Sequence, residues 1–213
     1  FVRYADDSNI FVKSEMSANR VMKSVTSWLE RKLFLKVSAT KTKVVRPTKS
    51  NFLGFTYIKM GDKWECMPTH KSKMSLYDKC RKELIRKKCI ARSNAITFTR
   101  INQIVRGWIN YFRIGKMKLF IDKFGQWLRH KIRVIIIKQW KKPRKIYKNL
   151  QLLNRKLPYK FNEEQISSVA NTRLGWYKQA NGNVVNFLLN ADILAINKRG
   201  RPGLVNPLEY YLR

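Results

Sequence analysis

Apolar residues come in short, aromatic-rich blocks up to about residue 70 and at helical spacing beyond it. The first block brackets Asp6 and Asp7 between Phe1–Tyr4 and Ile10–Val12, which predicts a hairpin whose two-residue turn carries both acids. Ala18–Leu33 reads as an amphipathic helix: Met22, Val25, Leu29 and Leu33 fall at i, i+3, i+7 and i+11, and Asn19 or Ser17 can cap it. Leu35-Lys36-Val37 alternates and predicts a short strand. Asn51–Ile58 predicts an aromatic strand in which Gly54 marks a bulge or a close backbone approach. Gly61-Asp62 then turns into Lys63–Met67.

Beyond residue 70 the period lengthens. Met74–Cys89 carries Tyr77, Cys80 or Arg81, Leu84 and Ile85 on one side and lysines on the other. Thr97–Ile114 sets Ile101, Ile104, Val105, Trp108 and Phe112 in one stripe, with Thr97 or Thr99 as cap. Lys118–Trp140 is the longest helix, and Pro143 prevents its continuation. Three such helices with short joins predict an antiparallel bundle whose aromatic stripes are core. Further helices are expected around Leu150, Leu152 and Leu153 and over Glu163–Ala180. Asn190–Arg213, with Gly200, Pro202, Gly203 and Pro207, reads as a loose tail from which Leu208, Tyr210, Tyr211 and Leu212 could dock.

Charge adds a partner to this picture. The 213 residues hold 46 Lys and Arg against 13 Asp and Glu, a net of +33. So large a one-signed charge favours a polyanion. No apolar run approaches the ~20 residues of a spanning helix, since Val134–Ile137 lies between Arg133 and Lys138. Nucleic acid is thus favoured over membrane. Residues 71–148 hold 24 basic and 3 acidic residues, interleaved with aromatics, and form the electrostatic footprint. Lys141, Lys142, Arg144 and Lys145 cluster beside Trp140 at a helix end and are the best candidates for phosphate contact. Cys66, Cys80 and Cys89 form no Cys-x-x-Cys, so no zinc signature exists, and their odd number fits a reducing compartment. There is no signal peptide, so secretion is not expected.

In a chain so poor in acid, adjacent carboxylates suggest a hard divalent cation such as Mg²⁺. Tyr4-Ala5-Asp6-Asp7 between apolar strands resembles the catalytic motif of reverse transcriptases, and Arg3-Tyr4-Ala5-Asp6-Asp7 is most similar to the group II intron branch. Phe52-Leu53-Gly54-Phe55 resembles that family's primer-grip strand, and Lys41-Thr42 its next palm motif. Gly107–Phe112 and Trp140–Arg144 resemble motifs of the maturase thumb, also called domain X, in matching order. Asn171–Tyr177 resembles the close of that domain with a different aromatic order, and no role is carried to it.

The resemblance implies an α+β chain. Residues 1–70 would be the C-terminal part of a polymerase palm, an antiparallel sheet with a helix. Residues 71–148 would be the basic all-α three-helix thumb bundle, and 149–213 the helical remainder of the maturase domain and a tail. It implies an RNA-directed DNA polymerase that also serves as a maturase in intron splicing and mobility. Asp6 and Asp7 would help hold two Mg²⁺ ions, Lys41 would lie near the incoming nucleotide's phosphates, and Phe52–Phe55 would grip the primer. The implied partners are intron RNA, an RNA template and an RNA/DNA duplex; a dimer is left open. The implied setting is bacterial cytoplasm or an organelle. The family's further catalytic Asp lies upstream of this motif, so the 213 residues alone are expected not to polymerise. The alternatives are an RNA-binding maturase or splicing factor without polymerase use, and a CRISPR-associated or diversity-generating reverse transcriptase. The absence of a paired-cysteine or His-Asn-His domain after residue 180 resembles the endonuclease-lacking kind.

Overall fold

The computed structural model describes residues 1–157, 160–197, 200 and 202–213. The chain forms two compact units, Phe1–Ser72 with Ile114–Lys116, and Lys73–Arg113 with Met117–Arg213. The architecture is α+β, with two small antiparallel sheets in the first unit and helices throughout the second.

In the first unit, β1 (Val2–Tyr4) and β2 (Asp7–Asn9) form the expected hairpin in a different register. Tyr4 pairs with Asp7, so Ala5 and Asp6 make the turn and Asp7 opens the returning strand. Two-residue hairpin loops need positive φ to match strand twist, and Ala5 has φ +51°. Helix α1 (Glu15–Lys32) starts earlier than the apolar stripe suggests, because Ser14 rather than Ser17 or Asn19 caps it. The Ser14 side chain accepts from the Ser17 N–H at 3.2 Å. Glu15 in the first turn and Arg31 and Lys32 in the last complement the helix dipole. Phe34 comes next at φ +54°. The strand expected at Leu35–Val37 does not form, and the segment acquires no ladder partner among the described residues.

β3 (Phe55–Met60) and β4 (Lys63–Pro68) pair over six residues through the Gly61-Asp62 turn. Phe52–Phe55 is a tight turn rather than the middle of a strand. The Phe52 and Phe55 N–H groups donate to each other's carbonyls at 3.0 and 2.9 Å. Leu53 at φ +51° and Gly54 at φ +79° make this possible, and the second position suits glycine. Among the described residues, Pro68 and Gly115 alone are buried in this unit, and α1 buries none.

The second unit contains the rest of α2 (His70–Glu83) and α3 (Arg86–Ala91), α4 (Asn94–Phe112), α5 (Lys118–Trp140) and α6 (Pro143–Asn154). Shorter helices come after them: α7 (Glu163–Asn171), α8 (Gly175–Gln179), α9 (Asn183–Leu188), α10 (Ala191–Ala195) and α11 (Pro207–Leu212). The first expected helix is broken between Glu83 and Arg86. Arg92 ties the break down, donating to the Glu83 carbonyl at 2.7 Å and to its carboxylate at 3.2 Å. Helix α4 begins at Asn94, so Thr97 is no cap. It is buried within the helix and accepts from Arg92 Nε at 3.0 Å. The run expected over Glu163–Ala180 divides at Thr172–Leu174, where Gly175 takes φ +79°.

Helix α5 has the bounds its pattern predicts. Ile121, Phe124, Leu128 and Ile132 bury one face, and Ile132–Ile137 is buried without interruption. Tyr77 of α2 packs edge-on against Phe120, Phe124 and Trp127, with centroids 6.0, 5.2 and 4.7 Å away. The expected loose tail is docked instead, although Lys198, Arg199 and Arg201 lie outside the described residues. The Leu204 N–H donates to the Leu194 carbonyl at 2.8 Å. Asn102, 5% exposed, donates to the Gly203 carbonyl and accepts from the Val205 N–H, both at 2.8 Å. A Cβ on Gly203 would overlap the Ala195 carbonyl, so only glycine fits there. Helix α11 then packs on α4 and α5, with Tyr210 donating to Asn110 at 3.0 Å.

Replacing Asn102 strands two backbone groups at once. Asn102→Ala is expected to cost about 2–3 kcal/mol, read by urea unfolding, and to expose residues 203–213 to limited proteolysis. A stability within 0.5 kcal/mol of the parent, roughly what an ordinary surface change gives, would contradict the clamp.

Candidate functional site

The carboxylate pair sits at the tip of the β1–β2 hairpin, with Asp6 in the turn and Asp7 in the strand. Arg3 Nε donates to the Ala5 carbonyl at 2.8 Å, which fastens the corner without engaging either acid. Both side chains are exposed, and neither forms an ion pair among the described residues. Two exposed carboxylates at one hairpin tip are a donor set that suits a hard divalent cation. Among the described residues, no group of three or more His, Cys, Asp or Glu side chains comes together to hold one.

The hairpin is fixed to the Phe52 region by two contacts with no signature in the sequence pattern. Asn9 Nδ2 donates to Ser50 Oγ at 3.3 Å, and the Phe11 and Tyr57 rings meet edge to face at 5.3 Å. The Phe52–Phe55 turn is anchored at its other side. The Gly54 carbonyl accepts from the Thr69 N–H at 2.8 Å and from Ser72 Oγ at 3.0 Å. Asp6-Asp7 and Phe52–Phe55 are therefore held in one unit through β2 and the segment that follows it. Lys41 lies in a separate turn, where its N–H donates to the Ser38 carbonyl at 3.2 Å and its side chain is exposed. No hydrogen bond or ion pair joins it to the carboxylates among the described residues.

In the second unit, Lys141, Lys142, Arg144 and Lys145 are all exposed and carry no ion pair among the described residues. They form the corner between α5 and α6. Lys141 ends α5 at φ +61°, donating its N–H to the Ile137 carbonyl at 3.1 Å. Pro143 then starts α6 at a position where a missing N–H costs nothing. The bend turns four cations outward in five residues.

Other cations are engaged in packing. Arg133, 8% exposed, donates to the Leu189 carbonyl at 2.9 Å and to the Asn186 side chain and carbonyl. Burial, with Arg129 nearby, pushes its pKa down to about 10, so it stays charged at neutral pH. Burial, then Lys131 and Arg133, likewise lowers the pKa of His130, whose ring meets Tyr177 edge-on at 4.4 Å. Lys73 lies 5.5 Å from the Phe120 ring, and burial lowers its pKa. These groups could not be picked from the basic majority by sequence, because only packing separates them.

The three cysteines are free thiols. Burial, then Glu83, raises Cys80 to about 12, which makes it inert at neutral pH. No helix among the described residues is long and apolar enough to cross a membrane.

Comparison with known families gives two matches. Residues 1–57 match the reverse transcriptase (RNA-dependent DNA polymerase) family, and residues 73–153 match the group II intron maturase-specific domain. No curated protein matches the chain. The first match contains the carboxylate hairpin and the Phe52–Phe55 turn; the second runs from α2 into α6 across the basic corner. With both matches in this order along one sequence, the chain belongs to the group II intron reverse transcriptase/maturase family.

Proposed function

We propose that Asp6 and Asp7 contribute to the metal centre of an RNA-directed DNA polymerase, and that the basic second unit holds intron RNA and the template duplex. Residues 1–70 would then serve as the end of the palm, 71–148 as the thumb, and 149–213 as the remainder of the maturase domain. The observation that carries the reading is the pairing of an exposed carboxylate hairpin with the anchored Phe52–Phe55 turn in one unit. Asp6 and Asp7 would help hold divalent ions, which would supply activation of the primer 3′-hydroxyl and stabilisation of the leaving pyrophosphate. Asp6 and Asp7 supply carboxylate oxygens for Mg²⁺ from the tip of a short hairpin, whose position is fixed through Asn9 and Phe11. The Phe52–Phe55 turn would support the primer strand and Lys41 the nucleotide phosphates. Such a centre also needs a carboxylate from another strand, so the 213-residue chain by itself should not extend a primer. Splicing use without polymerase, and CRISPR-associated or diversity-generating settings, draw no support from the matched families.

In the intact enzyme, Asp6→Asn or Asp7→Asn should lower primer extension by at least about 10³-fold, some 4 kcal/mol of lost transition-state stabilisation. RNA affinity measured by filter binding should stay within about twofold of the parent, a change of less than roughly half a kcal/mol. Near-normal extension by either variant would remove the pair from catalysis.

RNA affinity of the chain should fall steeply with salt. Six to ten phosphate contacts predict a loss of roughly 10³–10⁵ between 50 and 200 mM salt. Replacing Lys141, Lys142, Arg144 and Lys145 together by Ala should reduce the slope of log K against log salt by about 3. An unchanged slope would move the contact elsewhere.

Lys141→Gly separates binding from folding. Glycine accepts the positive φ that lysine adopts under strain, so unfolding should become harder by about 1 kcal/mol. The same change removes one phosphate contact and should lower the salt slope by just under 1. A variant that is destabilised, or binds RNA with an undiminished slope, contradicts this role.

A further inference from the structure

A groove of about 410 Å³ opens within the second unit, between α4, α5, α6 and the α9–α10 region. Its walls are mostly apolar, and Ala95, Phe98, Trp140 and Leu153 stand among them. Three polar residues stand in the lining: Asn94, Asn149 and Lys156. The volume lies within the range of sites for small organic groups, which also combine apolar walls with a few placed polar atoms.

Its surroundings select the occupant. Trp140 directly precedes the exposed cations Lys141, Lys142, Arg144 and Lys145. Helices α4 and α6, which form two of the walls, contain no acidic residue, and α6 carries Arg144, Lys145 and Lys148. Asp192 on α10 is the acid nearest in sequence to the lining. An aliphatic ligand would suit the walls but would gain nothing from this rim. An unpaired nucleobase uses every part. Its face stacks on an aromatic ring, its edge matches amides that both donate and accept, and its flanking phosphates meet lysines. A paired base inside a duplex cannot enter.

We propose that this groove accepts an unpaired RNA base, stacked against Trp140, with its flanking phosphates on Lys156 and the Lys141–Lys145 corner. The assignment rests on the RNA-binding reading above and adds recognition of an unstacked base, where phosphate contact alone would be blind to pairing.

The test uses the whole chain with two RNAs, a fully paired stem and the same stem carrying one bulged 5-iodouridine. Affinities are measured across salt, and photo-crosslinks are mapped by mass spectrometry. The bulged RNA should bind about tenfold tighter, in line with one base stacked on an aromatic ring, and should crosslink at Trp140. Ala95→Phe fills the groove from a half-buried helix position. It should abolish the preference and the crosslink while keeping the stem affinity and its salt slope. Asn149→Leu removes one edge contact on a different helix and should reduce the preference independently, which guards against misfolding of the first variant. Crosslinks mapping elsewhere, or a preference that survives both variants, would overturn the proposal. So would sedimentation showing that Ala95→Phe dissolves a self-associated state without changing RNA discrimination, since the groove would then join copies of the chain. Failure of the unaltered chain to bind either RNA would instead refute the RNA-binding reading itself.

Discussion

Helix α5 is the element on which the second unit depends. It is buried along one stripe at its start and nearly all round at its end, where Ile132–Ile137 has no exposed side chain. A helix covered in this way must be surrounded by others, and α3, α6, α8 and α11 all pack on it. The partners are held by polar clamps as well as by apolar area. Arg133 reaches from inside the isoleucine run to the end of α9, and Asn102 of α4 grips the segment leading into α11. Removing either would leave buried carbonyls without donors, a cost comparable to losing a core side chain. These clamps explain how helices as short as α9, α10 and α11, which would not persist alone in water, are retained.

That architecture also explains which parts of the fold can be read from the sequence. Periodicity places α5 from Lys118 to about Trp140, close to its observed extent, because its apolar stripe is long and Pro143 bounds it. It finds the body of α4 but misplaces the start: Thr97 looks like a cap, yet its hydroxyl is committed to Arg92 inside the unit. The tail reads as loose because Gly200, Pro202, Gly203 and Pro207 dominate its composition. The reason for Gly203 is tertiary, a close approach to the Ala195 backbone, and no local pattern encodes it. The Leu35–Val37 alternation fails for the opposite reason, since a strand exists only with a partner.

At the candidate site the chemistry is more legible than the geometry. Adjacent acids in a chain with few acids stand out at once. Their register does not, because the strands on either side are three residues long and one step decides which acid lies in the turn. With Ala5 at positive φ, Asp7 becomes a strand residue opposite Tyr4, while Asp6 remains at the corner. The two carboxylates thus differ in backbone constraint although they are neighbours in sequence. The Phe52–Phe55 block shows the same effect. Its aromatic residues suggest a strand, but Leu53 and Gly54 turn the chain so that the Gly54 carbonyl becomes an anchor for Thr69 and Ser72.

Charge links the two descriptions. A net of +33 works against any compact state, because folding brings like charges closer together. The second unit adds to that burden by burying Arg133 with carbonyl and amide partners but no carboxylate. Several of its few acids are already committed: Glu83 serves both Arg92 and Arg100, Asp78 serves Arg81, and Glu209 serves Arg213. Neutralisation must therefore come from outside, and a ligand that binds the folded state alone stabilises it in proportion to the logarithm of its concentration over Kd. A polyanion lying along the α5–α6 corner would relieve repulsion among cations that the fold itself has gathered there. Binding and folding are then coupled through one quantity, the potential at that corner. On the proposed reading, the exposed Lys141–Lys145 corner costs stability in the free chain and would recover it when a polyanion binds there.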